Sequence, residues 1–156
     1  MKRNENRYII EAGVIAAIYC VLTIVLKPIS YGAVQFRLSE AMTILPFYMS
    51  SAVPGLFLGC ALANVFGGLG LVDIVFGSLT TFLAAYITSK MPNKYFAVLP
   101  PIILNALIVS IWVSKITNMP YIVTVGTIGF GEFVSAGIAG VILSSVFERV
   151  TNIYKR

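Results

Sequence analysis

Apolar stretches long enough for membrane helices fill this chain almost end to end, and once they are placed no soluble domain remains. Crossing a hydrocarbon core takes about 20 mostly apolar residues. The 156 residues, 58% hydrophobic and 11% charged, have room for six such spans with short connections. The expected fold is an all-α membrane protein, six transmembrane helices in one domain covering residues 1–156.

Several function classes fall away on composition. There is no histidine, so an H-E-x-x-H zinc helix cannot be built. Asp73 is the only aspartate, which excludes a pair of aspartates sharing a proton. No G-x-x-x-x-G-K-[ST] loop is present, so any nucleotide energy must come from another chain. No enzyme activity, resident cofactor or bound metal is expected. Cys20 and Cys60 lie within apolar segments and form no C-x-x-C, so they read as small packing residues. The N-terminal MKRNENR resembles a signal-peptide head, but the apolar run after it is too long and no small-x-small site follows. It is expected to be a retained first span.

The spans are expected at about 8–26, 36–49, 54–67, 73–88, 96–113 and from 121 into the tail. Lys27-Pro28, Pro54-Gly55, Gly67-Gly68, Pro92-Asn93 and Pro120 punctuate them. With six spans the termini share a side with the turns after spans two and four. That side collects Lys2, Arg3, Arg7, Lys90, Lys94, Arg149, Lys155 and Arg156, against Lys27, Arg37 and Lys115 opposite. The positive-inside rule then makes both termini cytoplasmic. The net charge of +5 thus speaks to orientation, and no nucleic-acid partner is expected. Tyr8, Tyr31, Tyr48, Tyr95, Trp112, Tyr121 and Tyr154 fall near span ends, as an interfacial belt would.

Ionisable residues inside membrane segments are functional candidates because each is costly unless paired or hydrated. Glu132 lies near mid-depth of the last span, flanked by Gly129 and Gly131, which open space for a ligand or another backbone. The alternative is a structural carboxylate, protonated or bonded to a neighbour such as Asn105. Arg37 and Glu40, three apart, share a helix face and can pair at the outer end of span two, with Gln35 beside them. Asp73 stands where a helix N-cap belongs, ahead of Ile74-Val75-Phe76. Glu11 is expected to snorkel or meet a basic neighbour, and Asn64 and Asn105 can serve as interhelical glue. Ala12 and Ala16, like Gly13 and Ala17, are four apart and make a smooth stripe on span one, either for packing within the chain or for a separate partner.

Longer motifs carry a resemblance. Gly32-Ala33-Val34-Gln35-Phe36-Arg37-Leu38-Ser39-Glu40-Ala41 is followed by Leu45-Pro46-Phe47. Gly55-Leu56-Phe57-Leu58-Gly59-Cys60 leads into Leu62-Ala63-Asn64 and Gly67-Gly68, and Asp73-Ile74-Val75-Phe76-Gly77-Ser78-Leu79 completes the set. Together these resemble the QueT family, small membrane proteins regarded as substrate-binding (S) components of energy-coupling factor (ECF) transporters and assigned to queuosine precursors. In the second half only Gly131-Glu132-Phe133 is distinctive. The resemblance implies a six-helix S-component fold with an outward cavity capped by the loop after helix one, and a docking face at Ala12 and Ala16. It also implies partners: a transmembrane coupling subunit and two cytoplasmic ATPases, which would use the ATP.

The expectation is therefore a substrate-capture subunit in a bacterial plasma membrane, surrounded by lipid and binding a deazaguanine base. Glu132, Glu40, Gln35, Asn105, Arg37 and Asp73 are its candidate substrate-binding residues. The alternative is a stand-alone secondary carrier or proton-coupled exporter with Glu132 as its proton site.

Overall fold

The computed structural model describes residues 2–31 and 35–154. Gly32, Ala33 and Val34 of the loop motif, and Lys155 and Arg156 of the charge pattern, lie outside the described residues. Every regular element among the described residues is helical. Helix α1 (Lys2–Val25) is an apolar run ending just before Lys27-Pro28, and the single turn α2 (Lys27–Ser30) takes Pro28 in its first turn, where no N–H is needed. A 3-10 helix (Leu38–Phe47) follows, then α3 (Ala52–Gly67), closed by Gly68 at φ +87°. Helices α4 (residues 71–88), α5 (Lys94–Thr117) and α6 (residues 121–154) follow. The side chain of Asn93 caps α5 by accepting from the Tyr95 and Phe96 amides, and Asn118 at φ 54° ends it.

Three segments, Glu5–Val25, Lys94–Thr117 and Tyr121–Thr151, are long and apolar enough to cross a membrane; Leu38–Phe47, Ala52–Gly67 and Asp73–Thr88 are apolar but shorter. The 3-10 helix covers about 20 Å at its steeper rise. Its environment explains its composition. It packs against α1, α3, α4, α5 and α6, and Ser39 through Pro46 are all buried. A helix buried over most of its length has no solvated polar face to present.

The closest helix contact is α1 on α3. A Cβ on Gly55 would lie 2.8 Å from the Ala12 carbonyl oxygen, and one on Gly59 would lie 2.8 Å from that of Ala16. Around this seam Ile15, Tyr19, Leu56, Cys60 and Ala63 form a buried core. Outward faces carry Ile9, Val21, Leu62, Leu71, Phe82, Ile122 and Ile142, all exposed. The interior instead holds Thr23, Ser39, Glu40, Asn64, Asp73 and Glu132. Apolar outside and polar inside is the arrangement a lipid solvent favours, and the protein is a membrane protein.

The two ends of the bundle are tied differently. At one, Arg7 pairs with Glu11 at 2.8 Å, Ser51 donates to Glu11 at 2.8 Å, and Lys94 and the Tyr48 hydroxyl both meet Glu148, at 2.9 and 2.7 Å. The start of α1, the turns after the 3-10 helix and α4, and the late part of α6 therefore meet at this end. At the other, Lys27 Nζ donates to the Phe66 carbonyl at 2.8 Å and the Tyr31 hydroxyl to that of Ala63 at 2.8 Å. Glu11 meets the basic neighbour expected of it.

Candidate binding site

The buried ionisable residues gather toward the second end. Arg37, the last residue before the 3-10 helix, is extended (φ −93°, ψ 95°). Its Nη2 lies 3.7 Å from Asp73 Oδ2, its Nε donates to the Ser30 carbonyl at 3.3 Å, and its guanidinium stands 4.7 Å from the centre of the Tyr31 ring. Its ion pair is with Asp73, which corrects the expected Arg37–Glu40 pair. The i, i+3 geometry assumed an α-helix through both residues, and Arg37 stands outside the helix.

Asp73 is not a cap. Helical backbone begins at Leu71, so Asp73 lies inside the first turn, with no side-chain cap hydrogen bond there. Its Oδ1 accepts the Trp112 indole N–H at 3.1 Å, while the Asn64 amide donates to its main-chain carbonyl at 2.9 Å. Gly77 leaves room for this group, since a Cβ there would meet Asn64 Nδ2 at 2.9 Å. Asn64 is thus interhelical glue, as expected.

Glu40 projects from the central 3-10 helix and accepts the hydroxyl hydrogen of Tyr19, a residue with no exposed surface. Glu132, on α6, accepts from Asn105 Nδ2 of α5 at 2.9 Å. The neighbour foreseen for Glu132 is present, yet it satisfies one oxygen only. Oε2 of Glu132, Oε2 of Glu40 and Oδ2 of Asp73 are buried with no hydrogen-bond partner. An unpartnered buried acceptor is costly. Asp73 Oδ2 faces Arg37 Nη2, which also makes no hydrogen bond, so the oxygens left open to a ligand's donors are those of Glu40 and Glu132. Gln35 closes the group: it is buried, and its carbonyl oxygen occupies the space a Cβ of Gly131 would need. Among the described residues no three ligating side chains converge to hold a metal ion.

All six sequence-derived candidates, Gln35, Arg37, Glu40, Asp73, Asn105 and Glu132, are buried at or beside this cluster. Tyr19, Tyr31 and Trp112 were not singled out as site residues, and they hold Glu40, Arg37 and Asp73 in place. Trp112, expected in the interfacial belt, is buried. A local signal accompanies the cluster in the backbone. Three π-helical stretches interrupt the long helices, Asp73–Gly77, Asn105–Val109 and Phe133–Ala139. The first opens at Asp73, the second at Asn105, and the third directly follows Glu132. Such widened turns often mark functional positions in membrane and soluble helices.

Ala12 and Ala16 are buried against Gly55 and Gly59 of α3. Packing within the chain, one of the two readings of the stripe, is thus present at Ala12 and Ala16. The small residues left open on α1 are Gly13 and Ala17, both exposed, with nothing within 4 Å of a Cβ built on Gly13.

With this geometry in view, residues 9–149 match the family described as QueT transporter. The chain belongs to the QueT transporter family. It is also similar to the "Queuosine precursor transporter QueT" of Lactococcus lactis subsp. cremoris (strain MG1363), at 28% identity over 168 residues, covering 96% of this chain and 98% of that one. No solved structure matches. A QueT chain is a transport protein and not an enzyme. The buried cluster suits that role, because it offers fixed acceptors to a ligand with donors.

Proposed function

We propose that this chain is the substrate-capture subunit of an ATP-driven ECF-type importer for a deazaguanine precursor of queuosine. The relative from Lactococcus lactis bears a name for that substrate class. The observation that carries the reading is the bare Oε2 of Glu132 beside its Asn105-bonded Oε1. A guanine-like edge presents adjacent N–H donors and a carbonyl. Glu132 accepts the donors, Asn105 or Gln35 donates to the carbonyl, and an aromatic ring such as Tyr31 stacks on the heterocycle. Charge-assisted bonds of this kind are the stronger class.

The chain crosses a bacterial plasma membrane six times, with both termini cytoplasmic. The basic residues at the Arg7, Lys90 and Lys94 end support this orientation. The 3-10 helix together with the non-helical residues 35–37 reaches about 30 Å, enough to count as the second crossing. The chain has no nucleotide-binding loop, so a coupling subunit and two cytoplasmic ATPases supply the energy. The exposed Gly13 and Ala17 stripe of α1 is the smooth surface on which the coupling subunit packs.

The test is co-purification with the coupling module, mass spectrometry of the released small molecule, and uptake with and without the ATPases. A bound deazaguanine and uptake that stops when the ATPases are removed are expected. Uptake that persists without them would instead make the chain a stand-alone carrier using Glu132.

A further inference from the structure

We propose that the site selects a base carrying a positively charged arm, and that Glu40 is the group that recognises that charge. This rests on the base-binding reading above and goes further, to the choice among deazaguanines.

The argument is a balance of buried charge. Arg37 is the one buried cation among the described residues, against three buried carboxylates, Glu40, Asp73 and Glu132. Arg37 has its carboxylate in Asp73 at 3.7 Å, lies over the Tyr31 ring and donates through Nε to the Ser30 carbonyl, while its Nη2 makes no hydrogen bond. Glu40 and Glu132 receive only neutral donors, the Tyr19 hydroxyl and the Asn105 amide. Each retains one oxygen without a partner, with Glu40 1% and Glu132 3% exposed. Burying an ionised group without a counter-charge is heavily penalised.

A neutral guanine-like edge has donors for one carboxylate. It leaves the second bare and does nothing for the charge. An ammonium on a short arm supplies up to three donors and the missing positive charge together. The two carboxylates divide this work by their settings. Glu132 with Asn105 forms a mixed acceptor and amide edge suited to the base. Glu40 has a hydroxyl on one oxygen and nothing on the other, which suits a compact point charge.

The experiment is calorimetric titration of the purified full chain with 7-aminomethyl-7-deazaguanine and with its neutral 7-cyano counterpart. Wild type is expected to bind the aminomethyl base about tenfold to a hundredfold more tightly, the scale of one charge-assisted contact. Glu40→Gln should abolish that preference, weakening the aminomethyl base at least about tenfold more than the cyano base, since only the charged arm loses a charge-assisted contact. Glu40→Asp, which keeps the charge, should retain the preference. Equal wild-type affinities, or tighter cyano binding, overturn the inference while the base reading stands, and this comparison needs no variant to fold. An equal loss for both bases in Glu40→Gln also overturns it, placing Glu40 against the common ring. If neither base binds, the base reading falls and this one falls with it.

Discussion

The Trp112 indole donates to Asp73 Oδ1 at 3.1 Å, so the carboxylate that pairs with Arg37 is itself held from across a helix interface. Trp112, on α5, fixes Asp73, on α4, and Asp73 in turn holds Arg37, the last residue before the 3-10 helix. A change in any one of the three reaches the segment 35–37 that leads into the 3-10 helix.

That chain of contacts gives an asymmetric prediction. Arg37→Gln alone leaves Asp73 charged and buried, and losing one partner of a buried pair costs about 3–5 kcal/mol. Adding Asp73→Asn removes the stranded charge, so the double variant should melt closer to wild type than Arg37→Gln does. Trp112→Phe should cost about 1–3 kcal/mol by leaving Oδ1 unsatisfied. Thermal unfolding of ligand-free protein in detergent measures all three. A double variant less stable than Arg37→Gln would mean that the pair at 3.7 Å is not a working ion pair.

Glu132→Gln tests the base contact with the shape preserved. The glutamine carbonyl can still accept from Asn105, which turns the new NH2 toward the position of the bare Oε2. A ligand donor then faces a donor. Base affinity should fall roughly tenfold to a hundredfold, the cost of one unpaired buried donor, with expression and assembly unchanged. Undiminished affinity in direct titration would move the contact to Glu40 and leave Glu132 structural.

The site residues were legible because carboxylates, an arginine and amides stand out in apolar segments. Their partners were not. The spacing of Arg37 and Glu40 implied a shared helix face, yet the helix begins only after Arg37 and is of the 3-10 type. The turn before Asp73 resembled a cap boundary, but the helix starts at Leu71 and Trp112 takes the side chain. Tryptophan near a span end suits an interface equally well, so only tertiary packing separates Trp112 from the belt. For Ala12 and Ala16 the signal was present: Gly55 and Gly59 share the four-residue spacing and supply the facing small pair. Small residues announce a close helix contact without naming the second helix. The six apolar segments were likewise legible, whereas the enclosure of Leu38–Phe47 depends on all its neighbours.

The packing of that seam separates two faces of one helix. Ala16→Trp must force α1 from α3, because the Ala16 carbonyl already lies 2.8 Å from where a Gly59 Cβ would be. It should lower the melting temperature of the isolated chain and impair ligand binding with it. Gly13→Trp points into open space and should leave both unchanged while blocking assembly with the coupling subunit. The measurement is melting and titration of the isolated chain alongside pull-down by the coupling module. Normal assembly by Gly13→Trp would remove this stripe from the docking surface.

Gly131 and Gly126 lie on the same helix and make a matched pair. A Cβ on Gly131 would collide with the Gln35 carbonyl oxygen, which is main chain and cannot rotate aside. Relief requires the segment 35–37 to lift, and with it Arg37 and the edge-on contact of Phe36 with Phe130, whose ring centres are 6.0 Å apart. Gly126 has nothing within 4 Å of its Cβ, so alanine there meets no obstacle and gains helix propensity of up to about 1 kcal/mol. Gly131→Ala should therefore cost on the order of 1–3 kcal/mol in stability, as overpacking does, and weaken base binding through the displaced segment. Gly126→Ala should be neutral to slightly stabilising and bind the base as wild type does. Melting and titration of the two variants side by side decide the matter. If they behave alike, the contact between Gln35 and Gly131 does not hold the segment over the site.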